Sequence, residues 1–305
     1  MNRLKRLASL FILIAGTLWG VMGIFVRILT GYGFSSMQIA SLRIIGGALI
    51  FLVGTAFTDR KKLKIQLKDL GWFAGMGIGS ILMFTICYFT TISMASLAVA
   101  AILLYTAPIM VMVMSVVLFK EKLTGRKLLA LLAAFAGCIM VTGLLGTGHT
   151  SAAAVGFGLL SGFGYGLYSI LGTYVLKKYS PVTVTTYSFA CGAVGALIVS
   201  RPVQMVHIFQ GAENRGKLGV LIFLTAFMTA VLPYLFYTIG LSSTKASSAS
   251  IMASVEPVVA AVTGMIVFGE KLSTVSLLGI VLVLFAIVVL NLPVSGKVAI
   301  SAQQR

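Results

Sequence analysis

The segment that decides the fold occurs twice in the chain. Residues 119–124 read FKEKLT, and residues 268–273, which lie 149 positions later, read FGEKLS. The same offset places Pro108 on Pro257 within long apolar stretches. A polar match at one fixed offset is not what chance similarity between apolar helices produces, so we interpret the chain as two copies of one folding unit.

The composition around these segments is that of a membrane protein. Of the 305 residues, 59% are hydrophobic and only 10% are charged, whereas a soluble domain carries about 25% charged residues. A spanning helix needs about 20 mainly apolar residues. The apolar runs therefore predict an all-α membrane protein with ten spans, near residues 7–29, 36–57, 70–93, 97–119, 124–145, 153–176, 181–200, 217–240, 246–268 and 273–292.

The two copies are predicted to cross the membrane in opposite directions. Each copy, residues 1–147 and residues 148–305, holds five spans, and an odd number of crossings makes the second copy enter from the other side. With the N-terminus inside, the inside connections hold 17 Lys and Arg and the outside connections hold 4. Basic residues are enriched in cytoplasmic loops, so we expect a multi-pass protein of the cell membrane with both termini in the cytoplasm.

Several function classes are disfavoured. The net charge of +17 would suggest nucleic-acid binding in a soluble protein, but the charges lie in short clusters between apolar runs, and we expect no nucleic-acid partner. The sequence has no GxxxxGK[ST] phosphate loop, which argues against primary active transport by this chain alone. Cys87, Cys138 and Cys191 lack metal-ligand spacing. We expect no metal, no cofactor and no catalytic residue, and therefore no enzyme.

Short motifs carry a resemblance to a known family. They are LWG at residues 18–20, LR at residues 42–43, Pro108 ahead of FKEKLT, and EP at residues 256–257 ahead of FGEKLS. With them, the chain resembles the EamA-type, ten-helix branch of the drug/metabolite transporter superfamily over nearly its whole length. The resemblance implies a central cavity lined mainly by the first, third, fourth, sixth, eighth and ninth spans. It implies no single substrate, because this family handles amino acids, other metabolites and drugs on one scaffold.

Two charged residues within spans are candidate binding groups. Glu256 lies deep in the ninth span, and the first copy has Ala107 at the matching position. An intramembrane carboxylate indicates a functional site, and Glu256 would either bind a substrate ammonium group, carry a coupling proton, or satisfy donors on a neighbouring helix. Arg43 in the second span would either neutralise a substrate carboxylate or pair structurally with backbone carbonyls or a buried acid such as Glu256.

Aromatic residues near the middle of the spans are predicted to line a substrate pocket, although any of them could instead serve in packing. These residues are Trp19, Tyr88, Tyr105, Tyr165 and Tyr237. Aromatic faces suit amphipathic molecules, including cations. Pro108 and Pro257 each remove one helix hydrogen bond, so they predict hinges or static kinks in the fourth and ninth spans.

Glycines at four-residue spacing predict close helix contacts. They are Gly16 and Gly20 in the first span, Gly71, Gly75 and Gly79 in the third, and Gly158, Gly162 and Gly166 in the sixth. The acidic residues of the two repeated segments, Glu121 and Glu270, precede a Thr or Ser that can cap the next helix. We interpret these segments as structural.

Together these features predict a secondary transporter that exports small organic metabolites, such as amino acids, by alternating access. Export of hydrophobic or cationic drugs is the first alternative, and a non-transporting accessory or lipid-handling membrane protein is the second. We expect a small-molecule substrate, contact with the lipid bilayer, protons as a candidate coupling ion, and a monomer or weak homodimer.

Overall fold

The computed structural model describes residues 2–95, 97–142 and 151–292, and within these ranges the chain forms helices and connections but no strand. The helices are α1 (Asn2–Gly20), α2 (Met22–Gly31), α3 (Ser36–Thr58), α4 (Leu70–Met76), α5 (Met83–Met94), α6 (Leu97–Leu104), α7 (Ala107–Phe119), α8 (Gly125–Val141), α9 (Ala152–Val175), α10 (Pro181–Val199), α11 (Pro202–Gly211), α12 (Arg215–Ala226), α13 (Leu232–Leu241), α14 (Ala246–Ala253), α15 (Val255–Phe268) and α16 (Thr274–Asn291).

These helices build ten membrane spans. In the described ranges, nine stretches are long and apolar enough to cross a membrane. They are α1–α2, α3, α4–α5, α6–α7, α9, α10, α12–α13, α14–α15 and α16. The remaining span, the fifth, is α8, whose 17 residues are within the range of spanning helices. The predicted all-α fold with ten spans in two inverted repeats is confirmed. The predicted end of the fifth span at residue 145 and the boundary between residues 147 and 148 lie outside the described residues, so that boundary stays a prediction.

The spans pack with the two-fold pattern that inversion requires. The first span packs against the eighth and ninth, and its counterpart, the sixth, packs against the third and fourth. The second span packs on the seventh and the fifth on the tenth, so each of these helices meets its own counterpart. Where α8 crosses α16, a Cβ added at Gly137 or at Gly279 would lie 2.7 Å from the carbonyl oxygen of the other glycine.

The two repeated segments adopt the same backbone. Lys120 and Gly269 end α7 and α15 in the left-handed region, with φ of 51° and 67°, and the next amide donates to Ser115 O or to Gly264 O at 3.2 Å. A left-handed residue with a side chain costs about 1–2 kcal/mol, a cost that glycine avoids in the second copy.

The hydroxyl caps predicted for these segments are present. Thr124 Oγ1 accepts from Lys127 N, and Ser273 Oγ accepts from Ser276 N. Both caps satisfy an amide in the first turn of the next span, which would otherwise have no helical partner. The segments therefore end one helix and begin another, as the sequence predicted.

The fourth and ninth spans break just ahead of their prolines. α6 ends at Leu104 and α14 at Ala253, and a proline four residues later donates no hydrogen bond to either carbonyl. A glycine of a neighbouring span approaches each carbonyl closely. A Cβ added at Gly162 would lie 3.2 Å from Leu104 O, and one added at Gly16 would lie 3.2 Å from Ala253 O. Both helices are thus interrupted ahead of their prolines; that Pro108 and Pro257 act as hinges or static kinks stays a prediction.

The third and eighth spans each contain a π-helical stretch, which the sequence analysis did not predict. The stretches, Gly77–Leu82 and Phe227–Val231, occupy matching positions in the two repeats. Within the first stretch, a Cβ at Gly77 would lie 2.1 Å from Ser188 O of α10. This contact corrects the prediction for the third span, because Gly71 and Gly79 have open space around them and Gly75 meets only the Leu171 side chain.

The connections define two faces of the bundle. The basic face carries residues 60–68, Lys120, Lys122 and residues 177–178, and the opposite face carries Arg27 and residues 201–217. On the basic face, Lys178 forms an ion pair with Asp69, which joins connections of the two repeats. The hydrogen bond with this carboxylate raises the pKa of Lys178 above its ordinary value.

Candidate functional site

An aromatic cluster lies at the centre of the bundle. Trp19, one residue before the end of α1, contacts the rings of Tyr165, Tyr234 and Tyr237 at centroid distances of 6.1, 5.2 and 5.5 Å. The first two pairs meet edge to face, an arrangement that stabilises a ring pair by about 0.5–1.5 kcal/mol beyond its buried area. The cluster therefore joins the first, sixth and eighth spans through their side chains.

Two cavities adjoin this cluster and share one wall. The first, with about 10 Å³ accessible to the centre of a water molecule, is lined by Trp19, Ser80, Phe84, Tyr165, Tyr168, Ser169, Tyr234 and Tyr237. The second, also with about 10 Å³, is lined by Leu104, Tyr105, Ala107, Pro108, Tyr165, Ser250, Ala253, Ser254 and Glu256. Tyr165 belongs to both. The lining residues come from the first, third, fourth, sixth, eighth and ninth spans, the six that the resemblance implied.

Glu256 lines the second cavity beside Tyr165, the residue that both cavities share. It is the second residue of α15, directly after the break in the ninth span, and its side chain is half-buried. Tyr165 Oη donates to Glu256 Oε2 at 3.2 Å. A carboxylate in the first turn of a helix is also stabilised by the helix dipole. The break at Ser254 thus places an anionic group beside an aromatic wall in the middle of the membrane.

Arg43 is held by the π-helical stretch of the eighth span. Its Nε donates to Thr229 Oγ1 and its Nη2 to Thr229 O, both at 2.8 Å. Glu256 is no direct partner, since no nitrogen of Arg43 lies within 4.0 Å of the carboxylate, although the two charges interact electrostatically. The sequence allowed two kinds of structural partner for Arg43, a backbone carbonyl or a buried acid. The structure shows the first, the carbonyl of Thr229.

Hydroxyl groups extend the site toward the basic face. Ser169 Oγ and Tyr237 Oη are 2.7 Å apart, and Tyr168 Oη and Thr238 Oγ1 are 2.9 Å apart. Sequence reasoning missed Tyr168, Ser169 and Tyr234 as cavity residues. Their spacing was the available signal, because residues three or four positions from Tyr165 or Tyr237 share its helix face.

The remaining predicted site residues lie around these cavities. Tyr105 and Pro108 line the second cavity, and Pro257 is buried but is not among its lining residues. Tyr88 is half-buried and contacts the Phe84 ring at 6.0 Å, but it is not among the lining residues of either cavity in the described part of the chain. The structure thus brings Trp19, Tyr165 and Tyr237 together around the first cavity, and Tyr105 and Glu256 with Tyr165 around the second.

The two repeats differ in how far they expose matching residues. Every residue of α14 except Ser248 is buried, whereas Ala101, Ile102 and Leu103 of the matching helix α6 are half-buried. Likewise, Tyr237 is only 4% exposed, while its counterpart Tyr88 is half-buried. Because α14 begins at the basic face and α6 at the opposite one, the second repeat closes the basic face more tightly than the first repeat closes the opposite face.

Metal ligands do not cluster in the described ranges. Among residues 2–95, 97–142 and 151–292, no group of three or more His, Cys, Asp or Glu side chains could hold an ion. The polar groups of the site are instead tyrosine and serine hydroxyls with one carboxylate. These groups suit hydrogen bonding and charge pairing with an organic molecule.

Comparison with known proteins gives the family. The pattern of the EamA-like transporter family matches residues 6–143 and again residues 152–292. The chain belongs to this family. Each EamA-like match covers five of the spans described above, so the family unit is the five-helix repeat.

Relatives in this family are named transporters. "Uncharacterized transporter YyaM" of Bacillus subtilis is 27% identical over 84% of both chains. An "Uncharacterized transporter" of Archaeoglobus fulgidus is 27% identical over 94% of this chain and 97% of its own. A solved crystal structure superposes with a TM-score of 0.76 at 15% identity, covering 98% of this chain and 99% of the other, which shows the fold alone. This EamA-like protein is a multi-pass membrane transporter.

Proposed function

We propose that this EamA-like transporter is a secondary active exporter of small organic metabolites, amino acids or related compounds, working by alternating access. The position of Glu256 carries the proposal. Its half-buried side chain lines the second cavity beside Tyr165, in the middle of a membrane helix. A carboxylate placed there is costly, and a bound ammonium group would offset that cost.

We assign the two charges, Glu256 and Arg43, to the two ends of an amino acid. Glu256 would bind the ammonium group, while the aromatic walls formed by Trp19 and the tyrosines would pack against the side chain. Arg43 directs Nε and Nη2 at Thr229 and lines neither cavity. Its third nitrogen, Nη1, would bind the substrate carboxylate.

The unequal exposure of the repeats supports alternating access. Two inverted copies of one unit can exchange conformations, so that the more tightly closed copy opens and the other closes. Here the first repeat exposes α6 and the second buries α14. Exchange of these two arrangements would move the opening from one face of the bundle to the other. Glu256 would also be the residue that takes up a coupling proton once the substrate has left.

Transport assays in liposomes test the proposal. Amino acids that stabilise the purified protein are first found by thermal shift, where a ligand at 100 times its Kd stabilises by about 2.7 kcal/mol. Uptake of such an amino acid is then compared with that of the amine lacking its carboxylate and the acid lacking its ammonium group. Glu256→Gln should lower kcat/KM for the amino acid by roughly tenfold to hundredfold, because hydrogen bonds to charged groups contribute about 1.5–3 kcal/mol.

The matched control is Glu270→Gln, which removes an exposed carboxylate outside both cavities and should leave uptake unchanged. Arg43→Gln should reduce the preference for the amino acid over the amine. Normal uptake by Glu256→Gln would contradict the proposed site.

The aromatic walls and single carboxylate also favour a second candidate, an organic-cation exporter, which would carry the amine better than the amino acid. Absence of uptake for every solute would support an accessory or lipid-handling role.

A further inference from the structure

A buried ion pair joins the two repeats on the basic face. Glu121, in the connection before α8, pairs with Lys127 in the first turn of α8, and the two side chains are only 5% and 11% exposed. Ser247 of α14 completes the cluster, because its Oγ donates to Glu121 Oε1 at 2.7 Å and accepts from Lys127 Nζ at 3.2 Å. Glu121 and Lys127 therefore both hydrogen-bond to α14, through Ser247 Oγ.

The position of this cluster coincides with the more tightly closed side of the site. Ser247 is the second residue of α14, the helix whose matching segment in the first repeat is part-exposed. For the basic face to open, α14 must leave the connection that carries Glu121. That movement separates Ser247 from the ion pair and admits water to both charges.

The second repeat keeps the backbone of this arrangement but not the ion pair. Glu270 has the same backbone hydrogen bond as Glu121, but Ser276 stands where the first repeat has Lys127, and Ala98 stands where the second has Ser247. Glu270 instead pairs with Arg27, and both side chains are about half-exposed. The buried cluster is therefore a property of the closed face and not a requirement of the repeated segment.

We infer that Glu121, Lys127 and Ser247 form a latch that holds the basic face closed, and that opening of this face in the transport cycle breaks it. The inference rests on the proposed alternating access. Its physical basis is the asymmetry of a buried pair, since removing one charge leaves the other buried without compensation while removing both does not. A single charge-removing substitution should thus favour the state in which the remaining charge reaches water.

Thiol reactivity at matched positions tests the latch. In a background with Cys87, Cys138 and Cys191 replaced by alanine, Ser250→Cys reports on the basic side and its repeat counterpart, Ala101→Cys, reports on the opposite side. Glu121→Gln or Lys127→Met should raise the labelling rate of Ser250→Cys by about tenfold or more and lower that of Ala101→Cys. The double variant Glu121→Gln/Lys127→Met should return both rates to within about threefold of the parent.

Reciprocity separates a latch from a packing contact. If both reporters become faster together, or if neither rate changes, the latch is refuted; a double variant that shifts as far as the single ones refutes its electrostatic basis. Arg27→Met, which breaks the exposed pair, is the matched control and should change neither rate.

Uptake by the parent in liposomes is measured separately. Uptake with unchanged labelling would refute the latch alone, whereas reciprocal labelling without any uptake would refute the transport proposal and leave the latch standing.

Discussion

At the scale of single residues, Gly20 shows how tightly the first span meets the ninth. A Cβ added at Gly20 would lie 2.6 Å from Val259 Cβ and 2.7 Å from Glu256 O. Both obstacles belong to the rigid part of α15, so the helices must move apart. Gly20→Ala should therefore reduce the free energy of unfolding by about 1–3 kcal/mol, the usual cost of overpacking, which thermal unfolding in detergent would measure.

The same span offers a control for this substitution. Gly23 has no atom within 4 Å of the position where its Cβ would be, and alanine forms helix better than glycine by about 1 kcal/mol. Gly23→Ala should leave the melting temperature unchanged or raise it. Equal losses of stability for the two variants would contradict the contact with α15 as the reason that Gly20 must be glycine, because Gly23 makes no such contact.

The residues of the site were accessible to sequence reasoning only where symmetry or charge singled them out. Trp19 and Tyr165 are matching aromatics of the two repeats, and Glu256 is a carboxylate deep in an apolar run. Tyr234 has no aromatic counterpart, and Thr85 stands at its matching position. Such a residue is found only when the crossing angle and rotation of its helix are known, because apolar periodicity in lipid does not separate a cavity-facing side from a lipid-facing one.

At the scale of helices, the contact between Arg43 and the eighth span stabilises an irregular stretch. A π-helical turn leaves backbone groups without their usual partners, and Arg43 supplies donors for both the hydroxyl and the carbonyl of Thr229. Arg43→Gln should lower the free energy of unfolding by roughly 1–3 kcal/mol. Thr229→Val removes one of these two acceptors and should cost less.

Arg43→Lys distinguishes charge from geometry. A lysine keeps the charge but presents a single ammonium point instead of the planar fork, so we expect stability between that of the parent and that of Arg43→Gln. The control is Arg60→Gln, whose exposed guanidinium bonds only Ala56 O. An Arg43→Gln protein as stable as the parent would show that the π-helical stretch does not need the guanidinium group.

The helix irregularities were predictable only in part. The breaks in the fourth and ninth spans follow from Pro108 and Pro257, because proline removes a specific hydrogen bond. The π-helical stretches have no such marker, since a π turn changes neither hydropathy nor length enough to be seen in one sequence. Their common position in both repeats indicates that they belong to the folding unit.

At the scale of the whole molecule, the sequence predicted the inversion but not which face is more tightly closed. The odd span count and the shared segments are properties of both copies alike. The difference in exposure between α6 and α14 is instead a choice between two arrangements of nearly equivalent helices. We expect this choice to depend on small differences in free energy. One of them is the buried pair of Glu121 and Lys127, which the structure shows and the sequence does not.

The orientation of the bundle in the membrane is the last prediction. Basic residues crowd the face that holds residues 60–68, and positive connections stay in the cytoplasm during insertion. In the cysteine-free background, Lys64→Cys and Glu213→Cys place exposed thiols on the basic and opposite faces. In intact cells, a membrane-impermeant thiol reagent should label Glu213→Cys at once and Lys64→Cys only after permeabilisation.

The reverse pattern would contradict the charge argument, and labelling of both thiols in intact cells would indicate mixed insertion. With the expected pattern, the tightly closed basic face lies in the cytoplasm and the less tightly closed face lies outside the cell. Export then requires that the Glu121–Lys127 pair open to admit substrate from the cytoplasm. Orientation would thus decide whether the latch controls loading of the substrate or its release.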